Sequence, residues 1–205
     1  MPVSTLSLVA PDEMDGRIAR GARARAAIVD ALLALIEAGE LRPSAARIAE
    51  RAGVSLRSVF QHFKDVESLF AAMADRQRER LAPFLNSVPD EGPLERRLDA
   101  FVAARTRLLE SIAPVRRAAL LSEPFSRELG QRLGAFRRQK AEEVRRVFAT
   151  ELACRPPVAR RRLLAALVAA SSWSTWQALR DHQGLPPAQA RRVVHYMLGT
   201  LLAGG

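Results

Sequence analysis

The sequence predicts an all-α protein. Hydrophobic residues make up 48% of the 205 residues but aromatic residues only 5%, which indicates an aliphatic core. Long stretches rich in Ala, Leu, Arg and Glu contain no runs of β-branched residues, and these are helix-forming residue types. Apolar residues recur at three- and four-residue spacing, which is the period of one helix face. The length gives room for one well-cored domain and a smaller one.

The N-terminal segment differs from the rest of the chain. Residues 1–16 contain prolines and three acidic residues without apolar periodicity, so we expect a disordered tail. The first helix is predicted from Arg20 to Ala38, where the apolar residues share one face, and Gly39 ends it.

Two short helices follow the first one. Ser44 is a good N-cap for the second helix, and Gly53 permits a sharp left-handed turn at its end. Ser55 then caps a third helix over residues 56–63. This arrangement is typical of a helix-turn-helix unit, whose second helix enters the DNA major groove. An ordinary helical hairpin has the same spacing, and spacing alone leaves both interpretations open.

The third helix has two different faces. Val54, Val59 and Phe63 supply an apolar back face that packs on a scaffold. The remaining positions are left for solvent or for DNA: Leu56, Arg57, Ser58, Gln61 and His62.

The rest of the chain is predicted to form a helical bundle. The periodic segments are 65–85, 94–111, a shorter helix between Pro114 and Pro124, 125–152, 158–182 and 187–202. The chain then has about nine helices, with a helix-turn-helix domain over residues 17–64 and a bundle over residues 65–205.

Composition limits the classes of partner. The formal net charge of +10 and the pI near 11.3 suit a polyanion, although the excess is mostly arginine, which a GC-rich genome also produces. Cys154 is the single cysteine and the three histidines are scattered, so neither an intrachain disulfide nor a metal site or other cofactor is predicted. The sequence shows neither a signal peptide nor a membrane-spanning stretch, and we expect a cytoplasmic protein.

The helix-turn-helix segment resembles the TetR family of transcriptional regulators. The residues that carry the resemblance are Ile48-Ala49, Gly53-Val54-Ser55, Phe60, His62-Phe63 and Glu67-Ser68-Leu69. A weaker similarity to the family's last two helices lies in Trp173, Trp176, Leu179, Arg180, Gly184 and Leu185. The resemblance covers nearly everything after Gly16, and it favours the helix-turn-helix over the plain hairpin.

Three residues depart from the family pattern. Arg57 stands where the family often has Gly, Phe60 where it has Tyr, and Val66 where it has Lys. The last two changes remove a hydroxyl and an ammonium that contact phosphate, and Lys64 is a candidate replacement for one of them.

The resemblance implies a set of DNA-binding residues, and Phe60 is one of them. Ser44, Ser55, His62 and Lys64 are expected at phosphates, although each serine is equally well explained as a cap, and His62 as a core or metal-binding residue. Arg57 and Gln61 are expected to read bases, with Leu56 and Ser58 nearby. The arginines at 17, 20, 23 and 25 either reach DNA or form a solvated helix start.

The resemblance also implies partners. The last two helices, 158–182 and 187–202, are expected to pair with a second copy, because their apolar content exceeds what a small monomer leaves exposed. The helices over residues 65–152 would enclose a pocket for a small-molecule inducer. Its candidate lining residues, each of a kind that is more often simple core, are Met73, Gln77, Phe101, Arg105, Leu120 and Phe136.

The function expected from the resemblance is that of a ligand-responsive repressor that binds a palindromic operator as a homodimer. One alternative is a DNA-binding nucleoid protein without an inducer. Another is a helical enzyme, which the sequence disfavours because it has no nucleophile elbow, phosphate loop or paired metal motif.

Overall fold

The computed structural model describes the backbone of residues 11–85 and 88–204, and the side chains of residues 18–81 and 88–204. The described residues form ten α-helices and no strand, which confirms the all-α prediction. The helices are α1 (Pro11–Glu37), α2 (Ala45–Ala52), α3 (Leu56–His62), α4 (Val66–Leu85), α5 (Leu94–Ser122), α6 (Arg127–Val147), α7 (Ala149–Ala153), α8 (Pro157–Ala170), α9 (Trp173–Gln177) and α10 (Pro187–Ala203).

The first helix begins earlier than the sequence predicts. It starts at Pro11 rather than at Arg20, so residues 11–16, which the sequence placed in the tail, are helical. Proline is compatible with the first turn of a helix because its missing N–H has no intrahelical partner there. Residues 1–10 of the predicted tail lie outside the described residues.

Helix α5 is longer than predicted. Leu94–Ser122 is one helix with Pro114 inside it, whereas the sequence suggested two helices separated at this proline. Val115, Ala118 and Ala119 are buried after the proline. Their packing holds the second half of the helix against its neighbours and outweighs the lost backbone hydrogen bond.

Two predicted helices are divided instead. Residues 158–182 break at Ser171 and Ser172, where the Ser172 hydroxyl accepts from the backbone N–H of Thr175 at 3.3 Å and caps α9. A π-helical turn, Ala178–His182, follows α9. The predicted helix over residues 125–152 divides at Phe148 into α6 and α7.

The helices enclose two hydrophobic cores. The N-terminal core joins α1, α2 and α3 with the start of α4, the end of α5 and the start of α6. The C-terminal core joins the end of α4, most of α5 and the end of α6 with α7 to α10. Helices α4, α5 and α6 therefore contribute to both cores.

Candidate nucleic-acid interface and adjoining cavities

The turn between α2 and α3 has the geometry that a helix-turn-helix requires. The Ser44 hydroxyl accepts from the backbone N–H of Arg47 at 3.2 Å and caps α2. Gly53 ends that helix with φ at 67°, in the left-handed region. The Ser55 hydroxyl accepts from the backbone N–H of Ser58 at 3.1 Å and caps α3. Both serines cap helices as predicted, and both are exposed.

The back face of α3 packs on the scaffold as predicted. Val59 and Phe63 are buried in the N-terminal core, and Val54 packs against it. The guanidinium of Arg25 in α1 lies over the Phe63 ring, 4.8 Å from its centroid. Helix α1 therefore holds α3 by apolar packing and by a cation–π contact.

The front face of α3 is open to solvent. Arg57, Gln61 and Lys64 are exposed, as are two apolar side chains, Leu56 at 45% and Phe60 at 53%. Burial of an aromatic ring is strongly favourable, so a half-exposed phenylalanine in a seven-residue helix indicates a contact surface.

The exposed cations Arg57, in α3, and Lys64, just after it, differ from Arg47 of α2 in their ion-pair partners. Among the described residues, neither Arg57 nor Lys64 has a carboxylate within ion-pair distance. Arg47 by contrast donates to Glu50 at 2.7 Å and lies 3.6 Å from Glu40. The positive charge of Arg57 and Lys64 is therefore available to a polyanion, whereas that of Arg47 is largely neutralised.

Two of the predicted DNA-binding residues are partly enclosed. Ser58 and His62 are half-buried, and the His62 ring faces α1 at Gly21, where a Cβ atom would lie 3.8 Å from its Cε1. The predicted arginines at 20 and 23 are exposed along the first half of α1, and the side chain of Arg17 lies outside the described residues.

Two adjoining cavities lie among the downstream helices. The α4 cavity, about 70 Å³, is enclosed by α4, α5 and α6. The α8 cavity, about 220 Å³, is enclosed by α5, α6, the end of α8 and the start of α9. Four residues line both cavities: Ile112, Arg116, Leu133 and Phe136. The α4 cavity also contacts both hydrophobic cores, because Met73 belongs to the N-terminal one and Leu81 to the C-terminal one.

The predicted lining residues divide between cavity and core. Met73 and Gln77 line the α4 cavity, Arg105 lines the α8 cavity, and Phe136 lines both. Phe101 is fully buried in the C-terminal core, where it meets the Phe148 ring edge-on at 5.2 Å. Leu120 lines neither of these two cavities.

Sequence reasoning named only Arg105 and Phe136 among the residues that line the α8 cavity, and missed its other members, which include Arg137, Lys140 and Trp173. Lys140 was predictable from the sequence as a lining candidate, because it lies four residues after Phe136 and so shares its helix face. Trp173 lies just after the break between α8 and α9, and the sequence predicted one continuous helix there.

Four buried polar side-chain atoms have no hydrogen-bond partner among the described residues. They are Gln77 Oε1, Arg105 Nε, Arg132 Nε and Trp173 Nε1. All four residues line one of the two cavities. Buried polar atoms are nearly always hydrogen-bonded, so these four atoms are exceptions, two at residues of each cavity.

The arrangement of helices matches known regulators. A transcriptional regulator from Rhodococcus sp. Rha1 superposes with a TM-score of 0.67 and 21% identity over 90% of this chain and 96% of its own. A TetR-family transcriptional regulator from Streptomyces coelicolor superposes with a TM-score of 0.68 and 20% identity over 87% of this chain and 86% of its own. The chain has a TetR-like fold. No protein-family model matches the sequence, and the search of curated proteins gives no significant match.

The chain also superposes on NalD, the secondary repressor of the MexAB-OprM multidrug efflux pump in Pseudomonas aeruginosa. It is 27% identical to this chain, with a TM-score of 0.53 over 87% of this chain and 96% of its own.

In the described part of the present chain, none of the helices is long and apolar enough to cross a membrane.

Proposed function

We propose that this protein is a transcriptional regulator that binds double-stranded DNA through α3, and that it acts as a ligand-responsive repressor on a palindromic operator. The observation that carries the proposal is the two-sided character of α3, with Val59 and Phe63 buried and Arg57 and Gln61 exposed and polar. Residues 17–64 would form the DNA-reading unit. The TetR-like fold and the regulators that share it support the same function.

The front face of α3 suits the major groove chemically. An arginine recognises guanine with two hydrogen bonds and a glutamine recognises adenine in the same way, so Arg57 and Gln61 are the base-reading candidates. Ser44 and Ser55 sit at helix N-termini, where backbone N–H groups favour a phosphate. The exposed Phe60 suits an apolar contact with a thymine methyl group or a sugar.

A homodimer through the last helices is supported by their exposed surface. Tyr196 in α10 is 73% exposed and Val158 in α8 is 59% exposed. A shallow groove between the two helices is lined by Leu163, Ala166 and Leu201. A second copy that covers this surface would bury apolar area and place two α3 helices on one duplex, which matches a palindromic site.

Sedimentation of the full chain tests the dimer. We expect Tyr196→Asp to shift the dimer toward monomer, because a carboxylate would be buried at the interface without a partner, whereas Tyr196→Phe keeps the dimer. Phe125 is a matched control, since it is also exposed, at 75%, but lies outside the last helices. A Tyr196→Asp protein that sediments as the wild type would place the dimer interface elsewhere.

Selection of binding sites from random double-stranded DNA tests the function. We expect the purified protein to enrich an inverted repeat with half-sites about one helical turn apart, as a dimeric helix-turn-helix protein requires. The selected site should retain the protein in a large excess of competitor DNA. Uniform binding to all sequences would identify a nucleoid protein instead, since such proteins lack a large specificity ratio.

A further inference from the structure

The geometry of the two cavities points to the class of ligand: we propose an apolar molecule with a single anionic oxygen-bearing head group, such as a medium-chain or aromatic carboxylate. The head group would lie in the α8 cavity and the apolar part in the α4 cavity. The inference deepens the proposed function, because it names the ligand to which the regulator would respond.

The α8 cavity carries an excess of positive charge. Four cationic residues line it: Arg105, Arg116, Arg137 and Lys140. Only two carboxylates of the described residues pair with them. Glu143 lies 3.0 Å from Arg105 and 2.9 Å from Lys140.

Glu123 is the second of these carboxylates. It lies 3.2 Å from Arg116 and also pairs with Arg137. Each carboxylate thus serves two cations, so the four cations exceed their carboxylates by two charges; Arg137 is exposed, whereas Arg105 and Lys140 are mostly buried and share Glu143 alone. Burying charge without a partner is costly, and an anionic ligand would remove that cost.

Unused hydrogen-bond donors lie beside the same cavity. Arg105 is 95% buried, and its two Nη atoms donate to Ser171 and Glu143 at 3.1 and 3.0 Å. Within the described part of the chain, its Nε has no acceptor, and neither has the indole Nε1 of Trp173. A carboxylate or a similar oxyanion would supply an acceptor for such donors and a charge opposite to that of the surplus cations.

The lowered pKa values of three lining cations agree with incomplete neutralisation of their charge by the carboxylates. Burial lowers the pKa of Arg105 and of Lys140, and Glu143 only partly offsets the effect. Burial likewise lowers the pKa of Arg116 despite its contact with Glu123. All three cations are therefore destabilised in their charged form by their surroundings, and a bound anion would stabilise that form.

The α4 cavity suits the apolar part of the ligand. Its lining is mostly aliphatic and aromatic, with Met73, Leu81 and Val115 on one side of the shared residues Leu133 and Phe136. Its charged members are Asp75, Arg78, Arg116 and Arg132. Asp75 pairs with Arg78 at 3.5 Å and with Arg132 at 2.9 Å. Glu128 also pairs with Arg132 at 2.7 Å, and Glu123 pairs with Arg116 at 3.2 Å, so these three cations meet three carboxylates and lack the positive excess of the α8 cavity. Apolar ligand surface buried there gains the usual hydrophobic free energy.

Titration calorimetry of the full chain at pH 7, without DNA, tests the inference with three probes of equal length: octanoate, octan-1-ol and octylammonium. We expect octanoate to bind at least about tenfold more tightly than octan-1-ol, since a charge-assisted hydrogen bond is roughly twice as strong as a neutral one. Octylammonium should bind more weakly than octan-1-ol, because its charge meets the surplus cations.

Two variants locate the head group. Arg137→Gln removes one exposed lining cation and Trp173→Phe removes the indole donor but keeps an aromatic ring. Each should weaken octanoate binding by about fivefold to twentyfold and octan-1-ol binding by less than about threefold. Arg138→Gln is the matched control, because Arg138 is exposed and does not line the α8 cavity.

The outcomes separate this inference from the proposed function. Octan-1-ol binding as tightly as octanoate, no binding of any probe, or octanoate binding that neither variant weakens while both stay folded by circular dichroism would each overturn the anionic site. Loss of fold in one variant leaves the other variant and the three-probe comparison to decide. The selection of DNA sites uses the ligand-free protein, so its success or failure is measured independently.

Discussion

Asp30 in α1 and Arg76 in α4 form a two-point ion pair. Arg76 donates from Nε to Oδ1 at 3.2 Å and from Nη2 to Oδ2 at 3.1 Å, and Arg80 adds a third bond to Asp30 at 3.0 Å. The preceding residue of α4, Asp75, pairs with Arg132 of α6 at 2.9 Å. Helix α4 is thus held both to the helix that carries α3 and to a wall of the α4 cavity.

This double attachment offers a physical route between the cavities and the DNA-reading unit. A ligand that displaces α4 would move α1 through the Asp30 contacts, and α1 packs directly on α3 through Arg25 and Phe63. Two α3 helices in a dimer fit their half-sites only at one spacing, so a small shift would favour the free state over the DNA-bound state.

The first prediction concerns this ion pair. Asp30→Asn removes the charge that Arg76 and Arg80 share, and we expect the thermal unfolding midpoint to fall by about 2 °C, because the pair is only half-buried and water screens it. Glu79→Gln is the control, since Glu79 is more exposed and lies 3.7 Å from Arg76. Equal shifts in the two variants, measured by calorimetry, would remove the special role of Asp30.

The second prediction concerns acid stability. Burial raises the pKa of the Glu151 carboxyl, but hydrogen bonds and charge from the buried Arg97 outweigh burial and hold this pKa below its ordinary value. The folded protein then binds fewer protons at Glu151 than the unfolded chain does. The stabilisation is fully present above the ordinary pKa, about 4.3, and is lost as the pH falls through the lower folded value.

We therefore expect Glu151→Gln to lower the free energy of unfolding at pH 7 by on the order of 3 kcal/mol, since it leaves Arg97 buried with an unpaired charge. The difference from the wild type should stay constant above the ordinary carboxyl pKa of about 4.3 and narrow as the pH falls below it. Denaturant unfolding at several pH values measures both effects. A difference that stays constant with pH would show that the lost contact is not ionic.

Local signals in the sequence were sufficient to predict the geometry of α2, the turn and α3. The capping serines, the glycine turn and the apolar back face of α3 each depend on residues within a few positions, and each lies as predicted. The failures depend on distant contacts. Pro114 lies inside a continuous helix because its neighbours are buried by other elements, and the break at Ser171 accompanies a bond to Arg105, 66 residues away.

The cavities were predictable only in part for the same reason. Helical periodicity places Phe101 and Phe136 on inward faces, but it does not tell a core position from a cavity wall. Phe101 packs fully against Phe148, whereas Phe136 borders both cavities. That distinction depends on the space that five helices, α4, α5, α6, α8 and α9, leave between them, which no local pattern in the sequence encodes.

The third prediction concerns the turn of the helix-turn-helix unit. Gly53→Ala should lower the free energy of unfolding by about 1 kcal/mol, because a Cβ atom is strained at a φ of 67°. Gly130→Ala is the matched control within α6, where no other atom lies within 4 Å of the added Cβ and φ is not positive. That variant should gain about 0.5 to 1 kcal/mol from helix propensity. Destabilisation by both substitutions in denaturant would mean that backbone conformation is not the cause.

The last prediction concerns the DNA-reading role of Arg57, which stands where the TetR family often has glycine. Arg57→Ala should lose about 1 to 3 kcal/mol of discrimination at one base pair of each half-site, because a guanine there would lose a two-point partner. Arg96→Ala removes an equally exposed arginine from the first turns of α5. Arg96 serves as the control because it lies about 33 Å along that helix from Ala118, which packs in the same N-terminal core as α3.

Binding-site selection with the two variants and the wild type provides the measurement. The Arg96→Ala protein should enrich the wild-type inverted repeat, whereas the Arg57→Ala protein should enrich a repeat that is degenerate at one symmetric pair of positions. A uniform loss of affinity at every sequence, with a shallower dependence on salt, would instead place Arg57 at a phosphate. An unchanged repeat with unchanged affinity would remove Arg57 from the interface and leave Gln61 as the base-reading residue of α3.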